Sequence, residues 1–179
     1  MNAIFRASAL LGLALMLAIA AGCTVRPMLA SPPAGAEGQG SPALSSVTVA
    51  PVTTRHGQEV RNHLIFLLHG GAGEPASPRY RLDLSVTSRA TSAVEIQSGN
   101  ENEPTAGIVT VSVSYRLIEI EDGSLAARGT QQASASYDRP DQEFAVLRAE
   151  RDAENRASRE AAELVRLAIA QHLARLDVR

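Results

Sequence analysis

The side chains that most often carry catalysis occur in this sequence, but their spacing matches no catalytic or metal-binding pattern. The four histidines are His56, His63, His69 and His172, and none belongs to an H-E-x-x-H motif. The single cysteine, Cys23, excludes a disulfide framework and a thiolate-rich metal site. No glycine-rich phosphate loop precedes a predicted helix. The sequence therefore predicts no metal, no other cofactor and no enzymatic activity.

One segment, Leu64-Ile65-Phe66-Leu67-Leu68-His69-Gly70-Gly71, looks like the strand and oxyanion loop of an α/β-hydrolase. That chemistry also needs a nucleophile in a G-x-S-x-G turn, which the sequence lacks. The apolar side chains recur instead at helical spacing, at Val60, Leu64, Leu67 and Leu68. We therefore predict a helix stopped by Gly70-Gly71, and a lipid-anchored esterase is only a distant alternative.

A second group of candidate residues is cationic. The arginines on or near predicted strands are Arg79, Arg81, Arg89, Arg116 and Arg128. Arg148 lies early in the last predicted helix, whose dipole favours anions at that end. Because guanidinium groups bind phosphate or carboxylate through paired hydrogen bonds, these residues are candidates for an anionic ligand. A merely solvated face is the alternative interpretation.

Composition narrows the class of partner. The chain has 17 Arg, no Lys and 19 acidic residues, for a formal charge of −2, which argues against nucleic acid. No Trp and six Phe and Tyr leave few aromatic platforms for bases. With 45% hydrophobic and 20% charged residues, the chain predicts one globular domain.

The first 22 residues are predicted to be a lipoprotein signal peptide. Arg6 precedes an uncharged run from Ala7 to Ala21, which is shorter than the ~20 residues that a spanning helix needs. The run ends in Ile19-Ala20-Ala21-Gly22-Cys23, which resembles a bacterial lipobox, in which the cysteine is acylated. Cys23 is therefore the predicted lipid attachment and the contact with the membrane. Thr24, where the sorting rule places Asp for inner-membrane retention, implies the outer membrane.

The organisation that follows is a lipidated flexible linker, residues 23–45, and an α+β domain, residues 46–179. The linker is rich in Pro, Gly, Ala and Ser and cannot bury enough apolar surface to fold. In the domain, Val47, Val49 and Val52 predict a short strand. A strand is also predicted from the alternation that starts at Tyr80, with a break near Ser88 and an extension through Val94 and Ile96.

Asp122-Gly123 predicts the turn of a hairpin. A three-residue turn, Asp122 to Ser124, keeps the apolar side chains of both strands on one face. The predicted pairs are Val109 with Tyr137, Val111 with Ala135, Val113 with Ala133, Tyr115 with Gln131, Arg116 with Thr130 and Ile118 with Arg128. Ile118 and Ile120 then face the other side, which suggests a bulge or a contact surface near the hairpin tip.

Pro140 and Asp141 are predicted to open a final helix that runs to about Leu176. Its predicted apolar stripe consists of Ala161, Leu164, Val165, Ala168, His172 and Leu176. Together the elements predict an α+β fold, in which one mostly antiparallel sheet of about four strands has two helices packed on one face. The opposite sheet face, which carries Arg116 and Arg128, is predicted to be polar.

Several strings give the chain a family resemblance beyond these patterns. They are the lipobox, the run from Arg55 to Leu64, Tyr80-Arg81-Leu82, the Asp122-Gly123 hairpin, Ala135-Ser136-Tyr137-Asp138, Phe144-Ala145 and the run from Ala149 to Ala153. In their order and spacing they resemble LptE, the lipopolysaccharide-assembly lipoprotein of Gram-negative outer membranes, over most of residues 45–176. The resemblance implies a non-enzymatic α+β protein that sits as a plug inside the LptD β-barrel and helps lipopolysaccharide reach the outer leaflet.

The strand pattern and the resemblance together suggest where lipopolysaccharide and the barrel would contact the chain. In the LptE family the loop that corresponds to Ser98–Thr105 usually carries a basic residue. In this sequence the loop is acidic, which argues against a lipopolysaccharide contact at this position. The predicted lipopolysaccharide contacts are Arg116, Arg128 and Arg148, and the predicted partner contacts are Ile118 and Ile120. The domain is expected to face the periplasm or to lie inside a barrel lumen. An auxiliary lipoprotein of another outer-membrane lipid transport system is the alternative.

Overall fold

The computed structural model describes residues 43–94 and 106–176. A short 3-10 turn, Leu44–Ser46, leads into the elements β1 (Val47–Val49), α1 (Arg55–His69), β2 (Tyr80–Val94), β3 (Ala106–Glu119), β4 (Leu125–Asp138) and α2 (Glu143–Leu176). The signal peptide, Cys23, the linker up to residue 42, Ile96 and the acidic loop Ser98–Thr105 lie outside the described residues.

The strands form one sheet in the order β1-β2-β3-β4. β1 runs parallel to β2, and the other two pairings are antiparallel, so the predicted α+β fold with a mostly antiparallel sheet is confirmed. The predicted break near Ser88 is wrong, because Ser88 pairs with Val111 in an uninterrupted ladder. The irregularity lies further along, between Ser92 and Val94.

The helix α1 forms where the sequence predicts it. The Thr54 hydroxyl accepts a hydrogen bond from the Gly57 amide at 3.2 Å and caps the first turn. Gly70 ends the helix in the left-handed conformation, with φ of 60°. Because Leu64–Leu68 is helical, this segment cannot be the strand of a hydrolase-like oxyanion loop.

The helix α2 packs against β3, β4 and α1, and its buried face differs from the predicted stripe. Its buried residues are Ala153, Ala157, Ser158, Ala161, Ala162, Val165, Ile169, Ala170 and Leu173. Leu176, predicted to be on the stripe, is 42% exposed. The stripe prediction is wrong toward the C-terminus because α2 buries side chains against the sheet and against a neighbouring helix, which widens and rotates its contact face.

The β3–β4 hairpin differs from the predicted register by two residues. Tyr115 pairs with Gly129 rather than Gln131, and Val109 pairs with Ala135 rather than Tyr137. The ladder shifts between Leu117 and Ile118, so the predicted bulge exists and the connection is longer than three residues. A shift of two residues keeps every side chain on its predicted face, which is why the apolar pattern alone could not distinguish the two registers.

Two tyrosines packed over glycines explain the observed register. A Cβ atom on Gly129 would lie 2.7 Å from the Tyr115 Oη, and one on Gly107 would lie 2.4 Å from the Tyr137 Cζ. Each ring therefore occupies the space that a side chain would fill on the strand beside it. In the predicted register Tyr137 lies opposite Val109, whose side chain leaves no such space.

A carboxylate protects the outer edge of β1. Oε1 of Glu74 accepts hydrogen bonds from the Val49 amide at 2.8 Å and the Thr48 hydroxyl at 2.9 Å. Arg61 donates to Oε2 of Glu74 at 3.0 Å and to the Val49 carbonyl at 3.1 Å. Burial acts to raise the pKa of Glu74, but these hydrogen bonds and the charge of Arg61 hold it below its ordinary value.

Candidate polar face and hairpin tip

The face of the sheet that points away from the helices is built mainly of short polar side chains. Its hydroxyl residues include Ser85, Thr87, Thr110, Ser112, Ser114, Thr130, Ser134 and Ser136. Directly opposed hydroxyls bond across strands β3 and β4: Thr110 with Ser134 at 2.8 Å, and Ser114 with Thr130 at 3.0 Å. These pairs satisfy one another and leave an even, hydrated surface.

Two guanidinium groups stand directly opposite each other on this face. The register pairs Arg116 with Arg128, so the predicted partners Thr130 and Ile118 are wrong. Both arginines are exposed and point away from the helices, as predicted. Within the described residues, neither guanidinium forms an ion pair or a hydrogen bond. Like charges directly opposite in a sheet are destabilising, so this pair is suited to an anion that both groups contact.

Strand β2 places a neutralised ion pair beside the two arginines, which the sequence does not indicate. Asp83 lies opposite Arg116 on the β2 side, and it pairs with Arg81 at 3.1 Å. Arg81 is therefore occupied, while Arg116 and Arg128 are the cations of this end of the face that keep their charge available. The sequence predicts only that Arg81, Arg116 and Arg128 are exposed on alternating strand positions. The observed register is needed to show that Arg81 is paired and that the other two are not.

The third predicted arginine lies elsewhere. Arg148 is in the second turn of α2, exposed, with its guanidinium carbon 5.8 Å from the centre of the Phe144 ring. It lies on the helical side of the molecule, beyond the Asp138 end of β4. Because Arg128 is ten residues from Asp138 along an extended strand, roughly 33 Å separates the two regions. The structure therefore brings Arg116 and Arg128 together and leaves Arg148 apart.

The hairpin tip carries an apolar cluster beside the arginine pair. Ile118 is half-buried on the polar face and lies opposite Leu125, while Ile120 and Leu125 are 48% and 45% exposed. The Ile120 amide donates to the Arg79 carbonyl at 2.9 Å, which fixes the tip against the start of β2. The bulge brings Leu125 next to Ile118, so Leu125 belongs to the apolar tip together with Ile118 and Ile120. In the sequence, the bulge is indicated only by the fact that Ile118 and Ile120 fall on the polar side of the strand alternation.

Three of the histidines lie in different surroundings in the described part of the chain. Burial lowers the pKa of His69, and the nearby charge of Glu74 and a hydrogen bond to the Val47 backbone only partly oppose this effect. His56 contacts the Val86 carbonyl at 3.2 Å, and His63 lies 3.7 Å from Glu163. Across residues 43–94 and 106–176, no three His, Cys, Asp or Glu side chains are grouped closely enough to hold a metal ion.

A shallow cavity of about 160 Å³ lies between α2 and the sheet. Its lining residues are Ser88, Val109, Leu147, Glu150, Arg151 and Glu154. Its titratable lining groups among the described residues are the carboxylates of Glu150 and Glu154 and the guanidinium of Arg151. None of the helices in the described part of the chain is both long and apolar enough to cross a membrane.

Solved structures share this fold. A lipoprotein of Caulobacter crescentus is 28% identical, with a TM-score of 0.59 over 74% of this chain and 93% of that one. A rare lipoprotein B from Shewanella oneidensis is 10% identical, with a TM-score of 0.55 over 73% of this chain and 96% of that one. A minor lipoprotein from Acinetobacter baumannii is 15% identical, with a TM-score of 0.52 over 70% of this chain and 88% of that one. The last two likenesses concern the fold alone.

The sequence comparison gives the family. No curated protein matches the chain. The profile of the family LptE, described as lipopolysaccharide-assembly, matches residues 44–169, which include every described strand and all but the end of α2. The resemblance stated from the sequence is thereby confirmed. This chain belongs to the LptE family of lipopolysaccharide-assembly lipoproteins.

Proposed function

We propose that this protein is the plug and assembly subunit of an LptD-like β-barrel, and that it helps lipopolysaccharide enter the outer leaflet of the outer membrane. The observation that carries the proposal is the pair Arg116 and Arg128, set among hydroxyl residues next to an apolar tip. A face with local positive charge suits the anionic part of lipopolysaccharide, and an exposed apolar tip suits a protein interface. The role is one of binding rather than catalysis.

In this proposal the chain reaches the outer membrane through its lipid. Residues 1–22 are removed, Cys23 is acylated, and the linker that starts there leads to the domain in the periplasm or the barrel lumen. The packed domain already includes Leu44, which is buried in the core, so the linker ends before this residue. One acyl chain binds a membrane only marginally, so attachment requires the several chains of a mature lipoprotein. Cys23→Ser should leave an uncleaved precursor that incorporates no labelled palmitate. Labelling of this variant at the wild-type level would disprove the assignment.

The arginine pair is proposed to bind phosphate or carboxylate groups of lipopolysaccharide. Each charge-assisted contact is worth roughly 1.5–3 kcal/mol where water is partly excluded, and less on an open face. Because Arg116 and Arg128 repel each other in the free protein, a shared anion would also relieve that repulsion. The net charge of the whole chain is −2, so attraction must come from this local pair.

Lipopolysaccharide binding by the full chain in detergent tests this contact. Arg116→Glu and Arg128→Glu should each weaken binding at least tenfold, and raised salt should weaken wild-type binding. Arg89→Glu is the matched control, since Arg89 is exposed on the same face three rows away. Arg148→Glu tests the separate helical position. If both the Arg116 and the Arg128 variants bind lipopolysaccharide with wild-type affinity, the pair is only part of a solvated surface and the proposed contact is wrong.

The tip is proposed to contact the barrel. Ile118→Asp combined with Ile120→Asp should reduce co-purification with the LptD-like partner, because two carboxylates would have to be desolvated in the interface. Leu147→Asp is the control, since Leu147 is 59% exposed at the start of α2, away from the tip. Circular dichroism checks that each variant is folded. Equal recovery of the partner by the tip variant and the wild type would rule out this surface.

A further inference from the structure

The outer edge of β4 exposes unpaired backbone groups along most of its length. Arg156 donates to the Ser136 carbonyl at 2.8 Å, so that carbonyl points away from β3. In an antiparallel ladder the direction of the backbone groups alternates from residue to residue. The β3–β4 ladder is regular from Asp138 to Ala127. The backbone groups of Arg128, Thr130, Gln132, Ser134 and Asp138 therefore point outward as well.

The opposite edge of the sheet is protected, which makes the β4 edge unusual. β1 has three residues, and Glu74 and Arg61 occupy its outward amide and carbonyl at Val49. β4 has fourteen residues, and Arg156 is the side chain seen to bond its edge within the described residues. From residue 129 to 137 it contains neither a charge nor a proline. Charges and prolines are the usual means of preventing strand addition.

We propose that β4 pairs antiparallel with β4 of a second copy of this chain, centred on Ala133. This register places Arg128 of each copy opposite Asp138 of the other, so two ion pairs close the two ends of the shared edge. Arg128 is then paired, so the dimer and an anion bound between Arg116 and Arg128 exclude each other. Between them Thr130 lies opposite Ser136, and Gln132 lies opposite Ser134. Opposed hydroxyls of this kind already bond at 2.8 and 3.0 Å between β3 and β4. The strand is thus complementary to itself in charge and in hydrogen bonding.

The core side of the edge suits the same arrangement. Ala133 faces its own copy at the two-fold axis, Gln131 lies opposite Ala135, and Tyr137 lies opposite Gly129, so each large side chain faces a small residue. The axis is perpendicular to the sheet, so all four helices lie on one side and both polar faces lie on the other. Arg156 must release the Ser136 carbonyl, and its Nε is already held by Asp152 at 2.9 Å. Arg156 therefore limits pairing in the single chain.

Sedimentation of the full chain in detergent tests the proposal. The wild type should move from the mass of one chain to that of two as concentration rises. Arg128→Asp and Asp138→Arg should each weaken the dimer at least tenfold, because each places like charges opposite each other. The combined variant should restore it, since the ion pairs are re-formed with exchanged positions. Arg89→Asp is the control, because Arg89 is exposed on β2, away from this edge.

A cross-link tests the register independently. In Ala133→Cys the two introduced thiols lie across the axis in a non-hydrogen-bonded pair, where the Cβ separation suits a disulfide. Copper phenanthroline, as the oxidant, should convert it to a covalent dimer, whereas Ser112→Cys on β3 should stay monomeric. Arg156→Ala should strengthen the dimer. A wild type of single-chain mass at every concentration, or failure of the combined charge exchange to restore pairing, overturns the proposal. Loss of β-barrel binding alone would leave this result unchanged.

Discussion

Replacing Gly107 by alanine should destabilise the domain, although alanine is normally the better residue in a strand. Gly107 is buried on the core side of β3, and an added Cβ would lie 2.4, 2.6 and 2.7 Å from the Cζ, Cε1 and Oη of Tyr137. Carbon atoms in contact are normally about 3.5–4.0 Å apart, so the ring must retreat by roughly 1 Å. Tyr137 is only 6% exposed beneath α2, and its hydroxyl reaches Glu150 at 3.4 Å. The ring therefore has little free space.

The magnitude follows from two opposing terms. Overpacking a filled site costs typically 1–3 kcal/mol. Replacing glycine with alanine returns about 0.5–1 kcal/mol, because the unfolded chain loses conformational freedom. The expected net loss is about 1–2 kcal/mol, or roughly 4–8 °C in melting temperature for a domain of this size. Urea and thermal unfolding followed by far-UV circular dichroism measure both quantities.

A double-mutant cycle separates this cause from a general intolerance of alanine at the site. In a Tyr137→Ala background the ring is absent, so Gly107→Ala should stabilise the domain by about 0.5–1 kcal/mol. The sign of the effect thus depends on the tyrosine. If Gly107→Ala is neutral or stabilising while Tyr137 is present, the packing explanation for the hairpin register is wrong.

Three further changes test the interior and the protected edge. Glu74→Gln should cost about 1–2 kcal/mol at neutral pH. Hydrogen bonds hold the pKa of Glu74 below its ordinary value, so the ionised carboxylate stabilises the folded domain above the ordinary carboxyl pKa. This stabilisation is lost as the pH falls through the pKa of the folded state. Urea titrations of the variant should not show this loss. Burial lowers the pKa of His69, so wild-type stability should decline as pH falls below about 6.5, and His69→Gln should show a weaker decline. Ser158→Ala should leave stability unchanged or raise it by up to about 1 kcal/mol on thermal unfolding, because the buried Ser158 hydroxyl has no hydrogen-bond partner among the described residues.

Local patterns in the sequence predict most of this fold. Val60, Leu64 and Leu68 recur at helical spacing, and Gly70 supplies the left-handed stop, so α1 follows from one stretch of chain. The alternation of Val109, Val111 and Val113 likewise identifies a strand with one buried face. In both cases the signal lies within neighbouring residues and requires no knowledge of the partner elements.

The errors arise where two distant segments meet. The hairpin register depends on Tyr115 finding Gly129, and hydrophobic alternation cannot detect such a fit because both registers bury the same faces. Ile169 and Leu173 are core residues outside the predicted stripe. The helix α2 packs on α1 as well as on the sheet, and its own periodicity does not indicate this second contact.

The candidate site shows the same division. That Arg116 and Arg128 point away from the core follows from strand parity, and the structure agrees. That they stand side by side, while Asp83 neutralises Arg81 next to them, depends on the register of three strands. The sequence does not indicate that Glu74 caps the edge of β1, because Glu74 lies in a loop twenty-five residues from the Val49 amide whose hydrogen bond it accepts.

The hydroxyl residues of the polar face have a consequence for its relief. Serine and threonine side chains end close to the backbone, whereas an arginine side chain extends several bonds further, so the arginines of this face, Arg116 and Arg128 among them, project above the hydroxyl residues. A rigid partner placed on this face would contact the arginine side chains first and stay clear of the hydroxyl groups, whereas a thin, flexible chain could reach the hydroxyl groups between the arginines. The shape of the surface therefore favours thin, flexible ligands over thick, rigid ones, independently of their charge.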